Sequence, residues 1–244
     1  MKVQAIRTHR VEVGSSLTNL IDRYIPTLTE ESIVAITSKV VSVCQGRVVG
    51  QAEIAREELI RQEADAVMEG PESPYGIILT IKDGLLIPSA GIDESNADDT
   101  YILYPTDVQD VAAQLWHHLR AKHQLEKLGI LITDSHTTPM RRGVMGIALG
   151  WCGFAPLFSY IGKPDLYGRP LRVSQTNVLD ALAATAVFAM GEGNEQTPLA
   201  LLEDLPHVNF MPQPPTPEEV AGIHIPMQED LYGPLLMGVK WVKP

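Results

Sequence analysis

The sequence predicts an α+β protein in which mixed sheets carry several helices, and three kinds of stretch predict it. Apolar or β-branched runs at 32–43, 76–88 and 129–133 read as strands. Stretches at 17–25, 108–119 and 174–190 repeat their apolar residues at the helical period. An Asp83-Gly84 pair between two apolar runs marks a hairpin.

In order, residues 3–13 alternate as a strand, and Ser15 or Ser16 caps a helix that Pro26 ends. The strand at 32–43 has a polar interruption, Thr37-Ser38-Lys39, which suits a phosphate or, equally, an exposed strand end. Residues 52–68 form an acidic amphipathic surface helix. The hairpin at 76–88 leads to the loop Ala90-Gly91-Ile92-Asp93-Glu94-Ser95-Asn96. Thr106 and Gln109 are spaced as a capping box for the next helix, and Gly129 is placed to stop it. His117, His118 and His123 on that helix have no zinc spacing and read as surface or packing residues. The helix at 174–190 is apolar nearly all round and so buried. Its end, Gly191-Glu192-Gly193-Asn194-Glu195, is either a ligand clamp or an ordinary capping loop. From Met211 the run Met-Pro-Gln-Pro-Pro-Thr-Pro is a Pro-rich connector, and residues 211–244 form a connector and C-terminal tail.

At 244 residues and 45% hydrophobic content the chain can bury a full core. A net charge of -11 excludes a broad nucleic-acid face, because phosphate backbones demand clustered Lys and Arg. Any phosphate ligand needs local metal ions or a few collected arginines. Cys44 and Cys152 suggest neither a disulfide framework nor a zinc site. The N-terminus lacks the apolar core of a signal peptide, so a cytoplasmic location is expected. The uncharged passage 143–162 is long enough to span a bilayer, but its five glycines, Pro156 and Ser159 favour buried strand and turn, with no membrane partner.

The chemistry centres on residues 129–172. Asp93, Asp134 and Glu192 each follow an apolar element, beside small or hydroxyl residues. Hard cations such as Mg2+ or Mn2+ prefer carboxylate and hydroxyl oxygens and share them with substrate phosphates. The set suits a metal-nucleotide site, with Ser135 able to ligate a second ion; spacing alone equally allows scattered loop acids. Arg141, Arg142 and Arg169 match phosphate or carboxylate geometry, or are simply solvated. The common phosphate loop, the Rossmann glycine fingerprint and the nucleophile elbow are all missing. The adjacent Asp134-Ser135-His136 cannot make a converging hydrolase relay.

Thr37-Ser38-Lys39-Val40-Val41-Ser42, Gly91-Ile92-Asp93-Glu94-Ser95-Asn96, Thr133-Asp134-Ser135, Arg141-Arg142-Gly143, Gly162-Lys163-Pro164-Asp165-Leu166-Tyr167-Gly168-Arg169 and Met190-Gly191-Glu192-Gly193 together resemble, in order, the motifs of the coenzyme F(420)-0:L-glutamate ligases. The resemblance marks residues 1–210 as the ligase-like domain. It implies an intertwined homodimer, GTP as co-substrate, two divalent ions (Mn2+ or Mg2+) and a K+-type monovalent ion. It implies a γ-glutamyl ligase that joins L-glutamate to an acceptor carboxylate through an acyl phosphate. By motif, Asp93 and Asp134 resemble ligands of one metal and Ser135 and Glu192 those of the other. Ser38, Lys39, Asn96 and the loop that includes Met190, Gly191, Gly193 and Asn194 resemble nucleotide contacts; Asp134, Arg141 and Arg142 are assigned to catalysis.

Two departures stand out. Val43 replaces a second family lysine, and Arg7-Thr8-His9-Arg10 replaces a Gly-x-Pro turn, so Arg7 and Arg10 are candidates to supply the lost charge. The stretch Ser135-His136-Thr137-Thr138-Pro139-Met140 differs on the acceptor side, which leaves a folate-type acceptor, as in a folate-linked branch of the family, equally open. A non-catalytic metal and nucleotide binder is the competing reading from another class.

Overall fold

The computed structural model describes residues 1–70, 73 and 75–243; the tail's last residue, 244, lies outside the described residues. The elements are β1 (Lys2–Ile6), α1 (Leu17–Tyr24), β2 (Ser32–Thr37), α2 (Ser38–Gln45), β3 (Val48–Gly50), α3 (Arg56–Glu63), β4 (Ala66–Glu69), β5 (Leu79–Lys82), β6 (Leu85–Pro88), β7 (Thr100–Ile102), α4 (Val108–His123), β8 (Leu128–Thr137), β9 (Val144–Cys152), β10 (Leu157–Ser159), β11 (Gln175–Asn177), α5 (Val178–Met190), β12 (Leu199–Glu203), α6 (Pro217–Ala221), α7 (Gly233–Leu236) and β13 (Lys240–Val242).

The main sheet has the order β1-β12-β2-β8-β9. Its centre is the parallel pair β2 and β8, running from Ser32 opposite Leu128 to Thr37 opposite Thr133, and its other neighbours are antiparallel. The fold is therefore α+β with mixed and antiparallel sheets. Strand β2 is apolar on both faces because both are covered. Val34 and Ile36 pack with α1 and α4, whereas Ile33 and Ala35 pack with α5 on the opposite face. The smaller sheet, β13-β4-β5-β6, shares a third core with α3, Ile92, Tyr101 and Leu103. The tail thus returns to its own chain, Trp241 of β13 lying opposite Met68 of β4.

Ser16 caps α1 as expected, its side chain accepting from the Asn19 amide, and Asp83 and Gly84 turn the β5–β6 hairpin with φ of 50° and 75°. Elsewhere tertiary packing overrides the local pattern. The run expected as one strand from 32 to 43 turns at Thr37 into helix α2, whose Val40, Val41 and Ser42 are buried and whose end is capped by left-handed Gly46. The single helix expected over 52–68 divides into α3 and β4, because Ala64 is extended and β4 pairs with β5. The first strand stops at Ile6.

The capping box at Thr106 and Gln109 does not form. Asp107 is the cap residue, in a left-handed conformation, and the Gln109 side chain instead receives the Trp151 amide and donates to the Trp151 carbonyl. Gln124 ends α4, and Gly129 lies inside β8, where a Cβ would come within 2.6 Å of the Ile33 side chain. Helix α5 begins at Val178 under an Asn177 cap. Among the described residues no helix is long and apolar enough to cross a membrane, and the uncharged passage at 143–162 is largely strand β9 and β10.

Candidate functional site

Parallel pairing puts the carboxyl ends of neighbouring strands side by side. Here that places Thr37-Ser38-Lys39, where β2 becomes α2, next to Thr133-Asp134-Ser135 on β8. The β8–β9 ladder shifts register between Ile132 and Thr133, with Leu149 as the extra residue on β9, one step before Asp134. Asp134 and Ser135 are therefore strand residues, β8 running past the expected 129–133 strand to Thr137.

Asp93 arrives from the other side. Its amide and carbonyl bridge to Ile102 in both directions, at 2.9 and 2.8 Å, which anchors the 93–96 turn. Its carboxylate accepts from the Ser95 amide at 2.6 Å and the Ser95 hydroxyl at 3.0 Å. The Lys39 ammonium stands 2.6 Å from the same carboxylate and also donates to the Ser95 carbonyl at 3.0 Å and hydroxyl at 2.8 Å. Burial alone would raise the Asp93 carboxyl, but Lys39 and Ser95 outweigh it and hold it below the usual range.

Asp134 has no such cation. Burial pushes it up to about 6, opposed by the Ser135 amide, which donates at 2.9 Å, and by the neighbouring Tyr104 and Ser38 hydroxyls. Glu192, just past α5, is likewise raised by burial, with the Ser135 hydroxyl and Lys39 opposing and Asp93 and Glu195 reinforcing. The loop after α5 is tied across the cavity: Asn96 Nδ2 donates to the Gly193 carbonyl at 3.1 Å, and the Gln196 carbonyl accepts from the Thr8 amide at 2.9 Å.

These groups line one open cavity of about 780 Å³, together with Val43 and Met190. Asp93, Asp134, Ser135, Glu192, Lys39, Asn96, Gly191, Gly193 and Asn194, expected at a site from the sequence, all lie on it, whereas Ser38 is buried between its lining neighbours Thr37 and Lys39 and is not on the wall. Arg10 reaches its rim and pairs with Asp98 at 3.6 Å. Four of the five expected arginines are not brought to it. Arg7 points outward, with only a 3.4 Å bond to Gln196, so of the two arginines only Arg10 is near enough to replace charge at Val43. Arg141 and Arg142 sit on the exposed β8–β9 turn, because β8 continues as a strand to Thr137 and carries them past the cavity. Arg169 closes a separate exposed turn through Asp165.

No three acidic, His or Cys groups among the described residues form a ready metal cage. The donor chemistry nonetheless fits hard divalent ions: four oxygen-bearing side chains, two of them carboxyls raised by burial, and a third paired with Lys39. Tyr104, buried beside Asp134, was not predicted. Its only trace in the sequence is Gly91, whose φ of +73° and lack of a side chain make room for the Tyr104 ring.

The family model for F420-0:gamma-glutamyl ligase matches residues 5–204. Similar relatives include the coenzyme F420:L-glutamate ligase of Methanopyrus kandleri, 32% identical over 80% of this chain and 83% of that protein. Those of Methanosarcina mazei and Archaeoglobus fulgidus are 28% and 29% identical, covering 84% and 80% of this chain and 87% and 84% of theirs.

Proposed function

This chain belongs to the F420-0:gamma-glutamyl ligase family, and on that premise we propose that it is a GTP- and divalent-metal-dependent ligase joining L-glutamate by an amide bond to the carboxylate of a coenzyme F420-0-like acceptor. The observation that carries the reading is the convergence of Asp93, Asp134, Ser135, Glu192 and Lys39 on one cavity large enough for a nucleotide.

Asp93 and Asp134 would hold one divalent ion and Ser135 and Glu192 a second, all four lying on the cavity wall, with water and phosphate oxygens completing the coordination. When bound, such ions neutralise the charge of a transferring phosphoryl group. Asn96 and the 190–197 loop hold the nucleotide, and Lys39, released from Asp93, binds its terminal phosphates. The acceptor carboxylate oxygen takes the γ-phosphoryl group and GDP leaves. The glutamate amine then attacks the activated carbonyl carbon, phosphate departs, and the amine gives up a proton.

A homodimer accompanies this reading. Met140, Leu166, Tyr167 and Phe188 are almost fully exposed on the β8–β9 turn, the 160–174 loop and the outer face of α5, an apolar set that a second copy would cover.

The direct test is incubation with glutamate, GTP, Mn2+ and either coenzyme F420-0, the deazaflavin acceptor, or a folate, with product mass read for one added glutamyl residue. Addition to the deazaflavin supports the proposal. Addition only to folate moves the acceptor, and no nucleotide turnover with either acceptor leaves a binder and overturns the ligase reading.

A further inference from the structure

Arg56 opens α3, a place where the helix dipole disfavours a cation. Its partners lie elsewhere in the chain: the guanidinium is in ion-pair contact with the Glu94 carboxylate and donates to the Ser89 hydroxyl at 3.2 Å. Those two residues bracket the turn that delivers Asp93. Neither Arg56 nor Glu94 lines the cavity.

The turn between them is strained. Ser89, Ala90 and Gly91 have φ of 54°, 51° and 73°, three left-handed residues in succession, of which only the glycine adopts that region at little steric cost. Such a backbone persists only where its surroundings over-determine it. Here the Ser89 amide donates to the Ile78 carbonyl at 2.7 Å and the Ala90 amide to the Thr80 hydroxyl at 2.8 Å, while Ala90 and Ile92 are buried with Leu59 and Ile60 of α3. These contacts fix the turn as far as Ile92. Past it the Asp93 backbone is bridged to Ile102, and the next two side chains take different cations, Asp93 pairing with Lys39 and Glu94 with Arg56. On the proposed function Lys39 leaves Asp93 when an ion binds, whereas no ligand in the cavity competes for Arg56. Arg56 is thus the tie that lasts through binding.

We propose that Arg56 is a positioning residue of this site: by holding Ser89 and Glu94 at once, it fixes the strained turn between them and so the point at which the Asp93 carboxylate meets a divalent cation. The inference rests on the metal-site reading above.

The test measures Mn2+ binding calorimetrically to the nucleotide-free full chain, alongside thermal midpoints, for wild type, Asp93→Asn, Arg56→Met, Glu94→Gln and the Arg56→Met, Glu94→Gln double variant. The two side chains are 35% and 47% exposed, so each single variant is expected to fold. A charge effect acting through space would give the two singles opposite signs, loss of the Arg56 cation tightening Mn2+ binding and loss of the Glu94 anion weakening it. Positioning gives one sign. Each single variant should bind Mn2+ about 10–100-fold more weakly, the range typical for loss of a group that orients a metal ligand, and the double variant no more weakly than either single. Unchanged or tighter binding in Arg56→Met, loss confined to one single variant, or losses that add in the double variant overturns the inference while the site reading stands. Failure of wild type to bind Mn2+, or unchanged binding in Asp93→Asn, overturns both.

Discussion

The Lys39 ammonium lies 2.6 Å from the Asp93 carboxylate and spends its remaining donors on Ser95, so in the ligand-free protein a lysine stands where a metal ion would compete. On the proposed function, an ion at Asp93 would displace Lys39, and a nucleotide phosphate would give the displaced lysine a new partner. By linkage, each ligand then favours the other equally.

Lys39→Met should raise the Mn2+ affinity of the nucleotide-free protein and weaken GTP binding. It should also remove a mutual enhancement expected in the roughly 5–150-fold range of such couplings. Titrating Mn2+ with and without GTP checks this; a wild-type Mn2+ affinity indifferent to GTP would show that no such exchange occurs.

Asp134→Asn should abolish turnover and stabilise the metal-free protein. The folded carboxyl is raised from 3.8 to about 6, so between those values the folded state binds more protons than the unfolded state. The penalty is fully present at pH 7 and fades as pH falls through 6 towards 4. At about 1.36 kcal/mol per unit it is at most about 3 kcal/mol, and less with residual solvent contact. Melts of EDTA-treated protein should show wild type gaining on the Asn variant as pH drops; parallel curves would contradict the buried charge.

Gly91→Ala should destabilise the fold by about 2–4 kcal/mol, combining left-handed strain with a clash into the Tyr104 ring. Denaturant melts report the loss. Gly162→Ala, also at positive φ but with nothing near its Cβ, should show only the strain component, so equal losses would deny the clash.

Phe188→Glu should shift a dimer toward monomer, because the ring is 91% exposed on an otherwise packed helix. Sedimentation velocity at several concentrations decides this, and a wild type that sediments as a monomer would remove the dimer from the proposal.

The local patterns that proved readable were those set by neighbours in sequence. Ser16 is a cap because a side chain three residues away from an amide can reach it, and Asp83-Gly84 is a hairpin turn because both residues tolerate positive φ. Residues 38–43 misled because β-branched valines favour strands in isolation, and only their burial beside β2 and β8 makes them helical. Thr106 and Gln109 had capping-box spacing, but Gln109 gained more from the Trp151 backbone.

Sequence by itself determined the residue types of the candidate site and their order, from Ser38-Lys39 through Asp93 and Asp134-Ser135 to Glu192, because each motif is a short contiguous string. Their meeting on one cavity was decided by tertiary structure, through the parallel pairing of β2 with β8 and the Asp93–Ile102 bridge. So were the exclusion of Arg7, Arg141 and Arg142 and the arrival of Tyr104 at Asp134. The physical reason is that strand pairing, ring packing and the pull of Lys39 on Asp93 act between residues far apart in the chain, where spacing carries no signal.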